Sequence, residues 1–229
     1  MKSFLFFSFV LVTFISSAQS SFGGNNSNLT EIYDVNGWPL SSKVKYEIKG
    51  SPMLTDNWCK GSVKFSNGRI LKDALLSFNL FNNQLYYKLE DIQFSFIDQI
   101  SEFTFLYEEN GKEKNLLFRS GYPGNTPVAG RIFYEVIAEG PRFQLLKHSY
   151  KALRDYYEYS TALAKNFRLF SDMYIYDMQT KSLKYIKNKQ LLAELMPGQA
   201  EEIARLSGEK YYKFRSEKDL GDLVARLNQ

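Results

Sequence analysis

Hydrophobic and polar residues alternate with a period of two over the middle of the chain, which is typical of half-buried β-strands. Val63 and Phe65 fall on one side of an extended segment, and polar residues lie between and beside them. Asn67-Gly68 follows directly, a dipeptide that favours a tight hairpin turn. Further segments with strand character, most of them separated by turn-forming residues, are residues 43–48, 69–71, 75–81, 84–89, 92–97, 103–107, 115–119, 132–139 and 142–148.

Strands so closely spaced are expected to pair as an antiparallel meander, because parallel strands need long crossover connections. Five or more such strands usually curl into a barrel-like sheet or form a sandwich. Residues 120–130 hold three glycines and two prolines, so we expect a loop there. The predicted fold class is therefore α+β and mostly β, with short helices at the C-terminal end.

Residues 149–187 carry a mixed pattern. Residues 150–170 fit either an amphipathic helix or a twisted pair of strands, and we favour a strand, a loop and a second strand. Residues 173–177 and 182–186 then predict a further hairpin across residues 179–181.

The last forty residues change to a helical period. Asn188 is suited to cap a helix that ends at Leu195, and Pro197 suits the first turn of a second helix, which would reach Leu206 and end at Gly208. Ser216 with Asp219 resembles a capping box. The helical face expected after this cap consists of Leu220, Leu223, Val224 and Leu227.

The first eighteen residues have the three-part pattern of a secretory signal peptide. Lys2 is followed by a mainly apolar run over residues 4–15 and by small residues up to Ala18. The alternative is a retained membrane helix, but twelve residues are short for a span. We expect a signal peptide at 1–18, a flexible leader at 19–30, a β-rich domain at 31–187 and a helical appendage at 188–229.

Composition narrows the possible environments and partners. The chain has 229 residues, with 29 basic and 25 acidic side chains, and loss of Lys2 with the signal leaves 28 against 25. So small an excess does not indicate nucleic acid, and we expect no membrane span after signal removal. We expect an exported protein that is periplasmic, associated with the outer envelope, or extracellular. Cys59 is the single cysteine, and burial or pairing with another chain are its two interpretations.

The charges are distributed unevenly along the chain. Residues 84–139 hold five basic and nine acidic residues, whereas residues 142–193 hold ten basic and four acidic ones. Part of the basic set, which we take as a candidate partner-binding face for an acidic partner or an anionic headgroup, consists of Lys181, Lys184, Lys187 and Lys189. The alternative is a solvated face whose lysines block unwanted strand pairing.

Few catalytic arrangements are compatible with this composition. His148 is the only histidine, Ser149 beside it would point to the opposite face of a strand, and no Gly-x-Ser-x-Gly motif is present. Zinc, calcium, phosphate-loop and dinucleotide motifs are absent as well, so we expect neither a metal nor a cofactor. Paired carboxylates for glycoside hydrolysis stay open. The many tyrosines predict either cross-strand packing or a surface binding patch.

One block of the sequence resembles a family of exported proteins of unknown function from two-membrane bacteria. The similarity lies in Gly50-Ser51-Pro52, in Asn57-Trp58-Cys59-Lys60-Gly61-Ser62-Val63, in Asn67-Gly68 and Asn82-Asn83, and in the basic stretch from Tyr174 to Lys189. It covers about residues 31–229 and implies export to the periplasm or beyond, with no catalytic or binding residue to transfer.

The function expected from the sequence is that of a non-enzymatic envelope or periplasmic protein that binds a partner or a surface component. A carrier of a hydrophobic ligand inside a curled sheet is the alternative, and a carboxylate-dependent hydrolase is a weaker one.

Overall fold

The computed structural model describes residues 47–109, 111–124, 129–158, 162–187, 189–196, 198–209 and 216–229. The predicted signal peptide at 1–18, the leader at 19–30 and most of the strand expected at 43–48 lie outside these ranges. The strands are β1 (Glu47–Lys49), β2 (Cys59–Phe65), β3 (Ile70–Asn79), β4 (Gln84–Leu89), β5 (Ile92–Ser95), β6 (Ile100–Glu109), β7 (Lys112–Arg119), β8 (Tyr134–Ala138), β9 (Phe143–Glu158), β10 (Ala162–Asp177) and β11 (Ser182–Tyr185). The helices are α1 (Lys189–Leu195), α2 (Ala200–Glu209) and α3 (Glu217–Leu227).

All eleven strands belong to one sheet that does not close on itself. It consists of two meanders that meet where β2 pairs with β6: β2 to β5 run to one side, and β6 to β10 run to the other. The far edge of β10 pairs with β11 in antiparallel fashion and with β1 in parallel fashion. The sheet is therefore mixed, because of this one short parallel pair, and otherwise antiparallel as expected.

The first meander must be strongly curled. β5 lies four strand positions from β6, about 19 Å across a flat sheet, yet only residues 96–99 connect the two strands. The five residue steps from Ser95 to Ile100 reach at most about 18 Å. The curl also brings Phe96 against Phe65, with ring centroids 5.7 Å apart.

Phenylalanines fill the concave side of this curl. Phe78, Phe103 and Phe118 contact one another with ring centroids 4.8–5.4 Å apart, and each is almost completely buried. Cys59 is buried in the same cluster, as the first of its two interpretations requires.

The three helices cover the same side of β8 to β11 and bury a second apolar cluster. Ser216 caps α3 by accepting a hydrogen bond from the Asp219 amide, and the predicted apolar face of that helix is buried. α2 differs from expectation, because it begins at Ala200 and continues through Gly208 to Glu209. A glycine lowers helix stability without ending the helix when the flanking residues are good helix formers.

The fold class is confirmed: the chain is mostly β, with short helices near the C-terminal end. The two strands expected within residues 150–170 are also confirmed, since β9 and β10 are 16-residue strands that pair along their whole length, and the loop expected between them falls on residues 159–161, outside the described ranges. One expectation was wrong in detail: His148, predicted at the end of a strand, lies within β9, because the strand continues for ten residues beyond it.

A buried ion pair joins the two clusters on the concave side. Lys147 Nζ lies 2.7 Å from Glu135 Oε2 and 2.8 Å from Glu217 Oε2, which ties β9 to β8 and to α3. Burial by itself lowers the pKa of Lys147, but the two carboxylates outweigh it and raise the pKa above its ordinary value.

Lys147→Met is expected to lower the free energy of unfolding by about 3 kcal/mol, because it leaves the Glu135 carboxylate buried and unpaired. The double variant Lys147→Met, Glu135→Leu should recover most of this loss. Urea unfolding measures both variants, and a loss below about 1 kcal/mol in the single variant would contradict the assignment.

Gly61 allows β2 to pack closely against β6. A Cβ atom at this position would overlap the carbonyl oxygen of Thr104 and approach the Leu76 side chain to 2.8 Å. Gly61→Ala should therefore cost about 3 kcal/mol of stability. Gly130→Ala is the control, since a Cβ there meets nothing within 4 Å, and we expect a change within about 0.5 kcal/mol in the same measurement.

Candidate functional site: an aromatic face on the sheet

The side of β8 to β11 that faces away from the helices carries a row of aromatic side chains. Period-two alternation explains it: on β9, Phe143 and Leu145 pack under the helices, so His148 and Tyr150 point the other way. We call this surface the aromatic face; its members are Tyr122, Tyr134, His148, Tyr150, Phe170, Tyr174, Tyr176 and Tyr185.

The rings form a continuous series of contacts. Tyr150 stacks on His148 at a centroid distance of 5.2 Å and on Phe170 at 5.5 Å, in both cases with nearly parallel planes. Tyr134 contacts Tyr174 edge-to-face at 5.4 Å. The rings therefore support one another through stacked and edge-to-face contacts.

Burial decreases along the row. Tyr134 is buried, His148 and Phe170 are half-buried, and Tyr185 is 46% exposed. Arg154 is exposed as well, and its guanidinium carbon lies 5.4 Å from the centre of the Phe170 ring. From the buried Tyr134 the row therefore runs through Tyr174 to the exposed Tyr185, and through His148 and Tyr150 to the half-buried Phe170, over whose ring Arg154 lies.

The buried end of the row is held by a hydrogen-bond network. The Tyr122 hydroxyl donates to Gln144 Oε1 at 2.9 Å, and Gln144 Nε2 donates to Glu139 Oε1 at 2.7 Å. Arg119 donates to that same Glu139 oxygen at 2.7 Å and to Glu102 Oε2 at 2.8 Å. The loop that carries Tyr122 is therefore fixed against the sheet, and the adjacent rings are pre-organised.

Burial also fixes the protonation states on this face. It lowers the pKa of His148, and Asp172, its cross-strand partner, offsets this only in part, so the imidazole is neutral at pH 7. Burial, together with the neighbouring tyrosines and Asp172, raises the pKa of Tyr174 to about 12. At neutral pH His148 and Tyr174 are therefore uncharged, and Arg154 supplies positive charge beside the Phe170 ring.

The histidine is not part of a nucleophilic device in the described structure. Ser149 and Ser171 are cross-strand partners of each other and point to the opposite side of the sheet from His148. Cys59 belongs to the phenylalanine cluster on that opposite side. Among the described residues, no group of three or more potential metal ligands is found.

The four lysines expected to form a partner-binding face lie in a turn, in a strand, in a connecting segment and at the start of a helix. Lys181 lies in the β10–β11 turn and Lys187 just beyond β11, both exposed. Lys184 pairs with Ile175 of β10 and so points to the helix side, whereas its neighbour Tyr185 points to the aromatic face. Lys189 is the first residue of α1.

Acidic side chains come together around cations. Glu102 and Glu139 both bind Arg119, and Glu135 and Glu217 both bind Lys147. A carboxylate held by an arginine is poorly suited to donate a proton, and general acid catalysis in glycoside hydrolysis requires such a donor. Glu102 and Glu139 therefore form a structural ion-pair cluster around Arg119, whereas burial raises the pKa of Glu135 despite its contact with Lys147.

No family model matches the chain, and no curated protein or solved structure is similar to it at a significant level. Among the described residues, no helix is long and apolar enough to cross a membrane.

The sequence indicated surface tyrosines in general but not this face. Its signal is the spacing of His148 and Tyr150 on one strand and of Phe170, Tyr174 and Tyr176 on the next. That period is informative only once residues 150–170 are assigned as two paired strands, because the register then places Tyr150 opposite Phe170.

Tyr174 predicts a steep loss of stability at high pH. Its folded-state pKa lies above the value of about 10 expected in the unfolded chain, so the stability it contributes is complete below pH 10 and falls as the pH rises towards 12. Tyr174→Phe should flatten this fall between pH 10 and 12, as measured by urea unfolding at several pH values. Identical slopes for the two proteins would contradict the assignment.

Proposed function

We propose that the protein is an exported, non-enzymatic binding protein whose aromatic face contacts an acidic component of the cell envelope or its surroundings. The observation that carries the proposal is the partly exposed row of rings that ends in arginine side chains. The signal-like pattern of residues 1–18 and the resemblance to exported proteins support the location.

Aromatic rings and arginines are the side chains most enriched in binding surfaces, because both bury large areas while keeping polar groups in position. Tyr150, Phe170 and Tyr174 are half-buried, so much of the side-chain entropy is already lost before a partner arrives. A rigid, half-exposed series of rings suits recognition better than it suits core packing alone.

The charge of this part of the chain favours an acidic partner. Residues 142–193, which include β9 to β11, hold ten basic and four acidic residues. Arg154 and Arg168 are exposed and lie on the same side of the sheet as Phe170, as the register and alternation require. A guanidinium binds carboxylate or phosphate groups through two parallel hydrogen bonds.

A non-catalytic role agrees with the chemistry of the site. The neutral His148 is flanked by rings, with both nearby serines on the other side of the sheet. We therefore expect the aromatic face to bind and position a partner and not to transform it.

The test measures retention of the purified chain on immobilised, detergent-solubilised bacterial envelope. We expect Arg154→Glu combined with Arg168→Glu to lower the retained fraction at least tenfold, because two charges reverse beside the rings. Tyr150→Ala should lower it by a similar factor while leaving the salt dependence of the remaining binding unchanged.

Lys218→Glu combined with Arg226→Glu is the matched control. It makes the same change in net charge on exposed positions of α3, on the helix side of the sheet. Equal losses in the two double variants would show a non-specific charge effect and would overturn the proposal. Full retention of the Arg154 and Arg168 variant would overturn it too.

A further inference from the structure

The first meander leaves one end of its apolar cluster uncovered. On the concave side of β4 and β5, Tyr87 stacks on Phe94 at 5.4 Å and contacts Phe96 at 4.7 Å, which continues the buried phenylalanine cluster outwards. Beyond these rings the apolar side chains face solvent. We call this surface the apolar end; its exposed members are Leu71 at 37%, Leu89 at 63%, Ile92 at 59%, Phe94 at 37% and Ile97 at 101%.

The register shows that the members of this set on β4 and β5 share one side. Leu89 pairs with Ile92 and Tyr87 with Phe94, so all four point to the concave side of the sheet. A cleft of about 480 Å³ opens beside them, lined by Phe65, Leu71, Tyr87, Phe96 and Ile97 among others. The apolar end is therefore a contiguous surface with a recess in it.

The size of this surface fits an interface between two protein copies. The exposed fractions are equivalent to about three complete apolar side chains, or roughly 500 Å². That lies at the upper end of the largest apolar patch on a typical monomer, about 300–600 Å². It also equals the apolar share of a standard interface, which buries about 800 Å² on each partner.

The backbone next to the apolar end also favours contact with a second copy of the chain. β5 is the terminal strand of the sheet, and among the described residues it pairs only with β4. Its sequence, Ile-Gln-Phe-Ser, contains neither the lysine nor the proline that protect edge strands from pairing. The strand at the opposite edge, β11, carries Lys184.

We propose that the occupant of the apolar end is a second copy of this chain, with β5 of each copy pairing antiparallel to β5 of the other across a two-fold axis. Such pairing is self-complementary, because Ile92 and Phe94 lie on the same side and meet the same residues of the partner. This pairing provides hydrogen-bond partners for the free edge of β5, and it also brings the two apolar ends into contact.

The test is sedimentation velocity of the purified chain over a range of concentrations. The wild-type chain should sediment as a species of twice the chain mass, and Ile92→Lys and Phe94→Lys should each raise the dimer dissociation constant at least tenfold. When measured at a concentration where all are monomeric, both variants should retain the wild-type circular dichroism spectrum, and Ile92→Lys, whose side chain is 59% exposed, should also retain the unfolding midpoint.

Leu169→Lys is the matched control, since Leu169 on β10 is 59% exposed, as Ile92 is, but lies far along the sheet from β5. It should leave the dissociation constant unchanged. A monomer up to about 100 µM, open-ended growth beyond a dimer, or a dimer insensitive to both β5 variants would each overturn the proposal. Monomeric binding to phosphatidylcholine vesicles that Ile92→Lys abolishes would overturn it as well, because the apolar end would then face lipid.

Discussion

The pairing of β9 with β10 determines which side chains of these strands pack under the helices and which form the aromatic face. The two strands stay in register over 16 residues each, so every side chain along them is assigned to one of two sides. Phe143, Leu145 and Ile175 then form the apolar surface of the sheet against which the helices pack. The residues between them, including His148, Tyr150 and Tyr174, can only form the opposite side. A shift by one residue would exchange the two sets and destroy both surfaces.

Two further features keep this arrangement in place. Lys147 ties β9 to Glu135 and Glu217 and so connects the helical cluster with the sheet. The amide of Lys151 donates to the Leu80 carbonyl at 3.1 Å, which holds the outer half of β9 against the β3–β4 turn. The long hairpin is thus fixed at two points, and the aromatic row along it is held on a rigid support, as a binding surface requires.

Local patterns predicted what depends on local physics. Asn67-Gly68 forms the β2–β3 turn, and the Ser216 cap with the Leu220 and Leu223 face specifies α3. The pairing of strands that are distant in sequence could not be predicted from local patterns. No local sequence pattern predicts that β6 pairs with β2 or that β1 pairs in parallel with β10. These pairings depend on the curl of the first meander and on which edge of the sheet is unpaired. The aromatic face was missed for the same reason, since its members come from four strands and a loop. The lysines were visible as a charge run, but strand alternation separates Lys184 from Tyr185.

We propose that the aromatic face is the surface that meets a partner. Its most direct test is a ¹H–¹³C aromatic correlation spectrum of the protein, recorded with and without the solubilised envelope fraction. We expect the signals of the buried cluster around Phe103 to keep their positions and the shifted signals to belong to rings of the aromatic face, namely His148, Tyr150, Phe170, Tyr174 and Tyr185. Shifts confined to rings outside the aromatic face would contradict it.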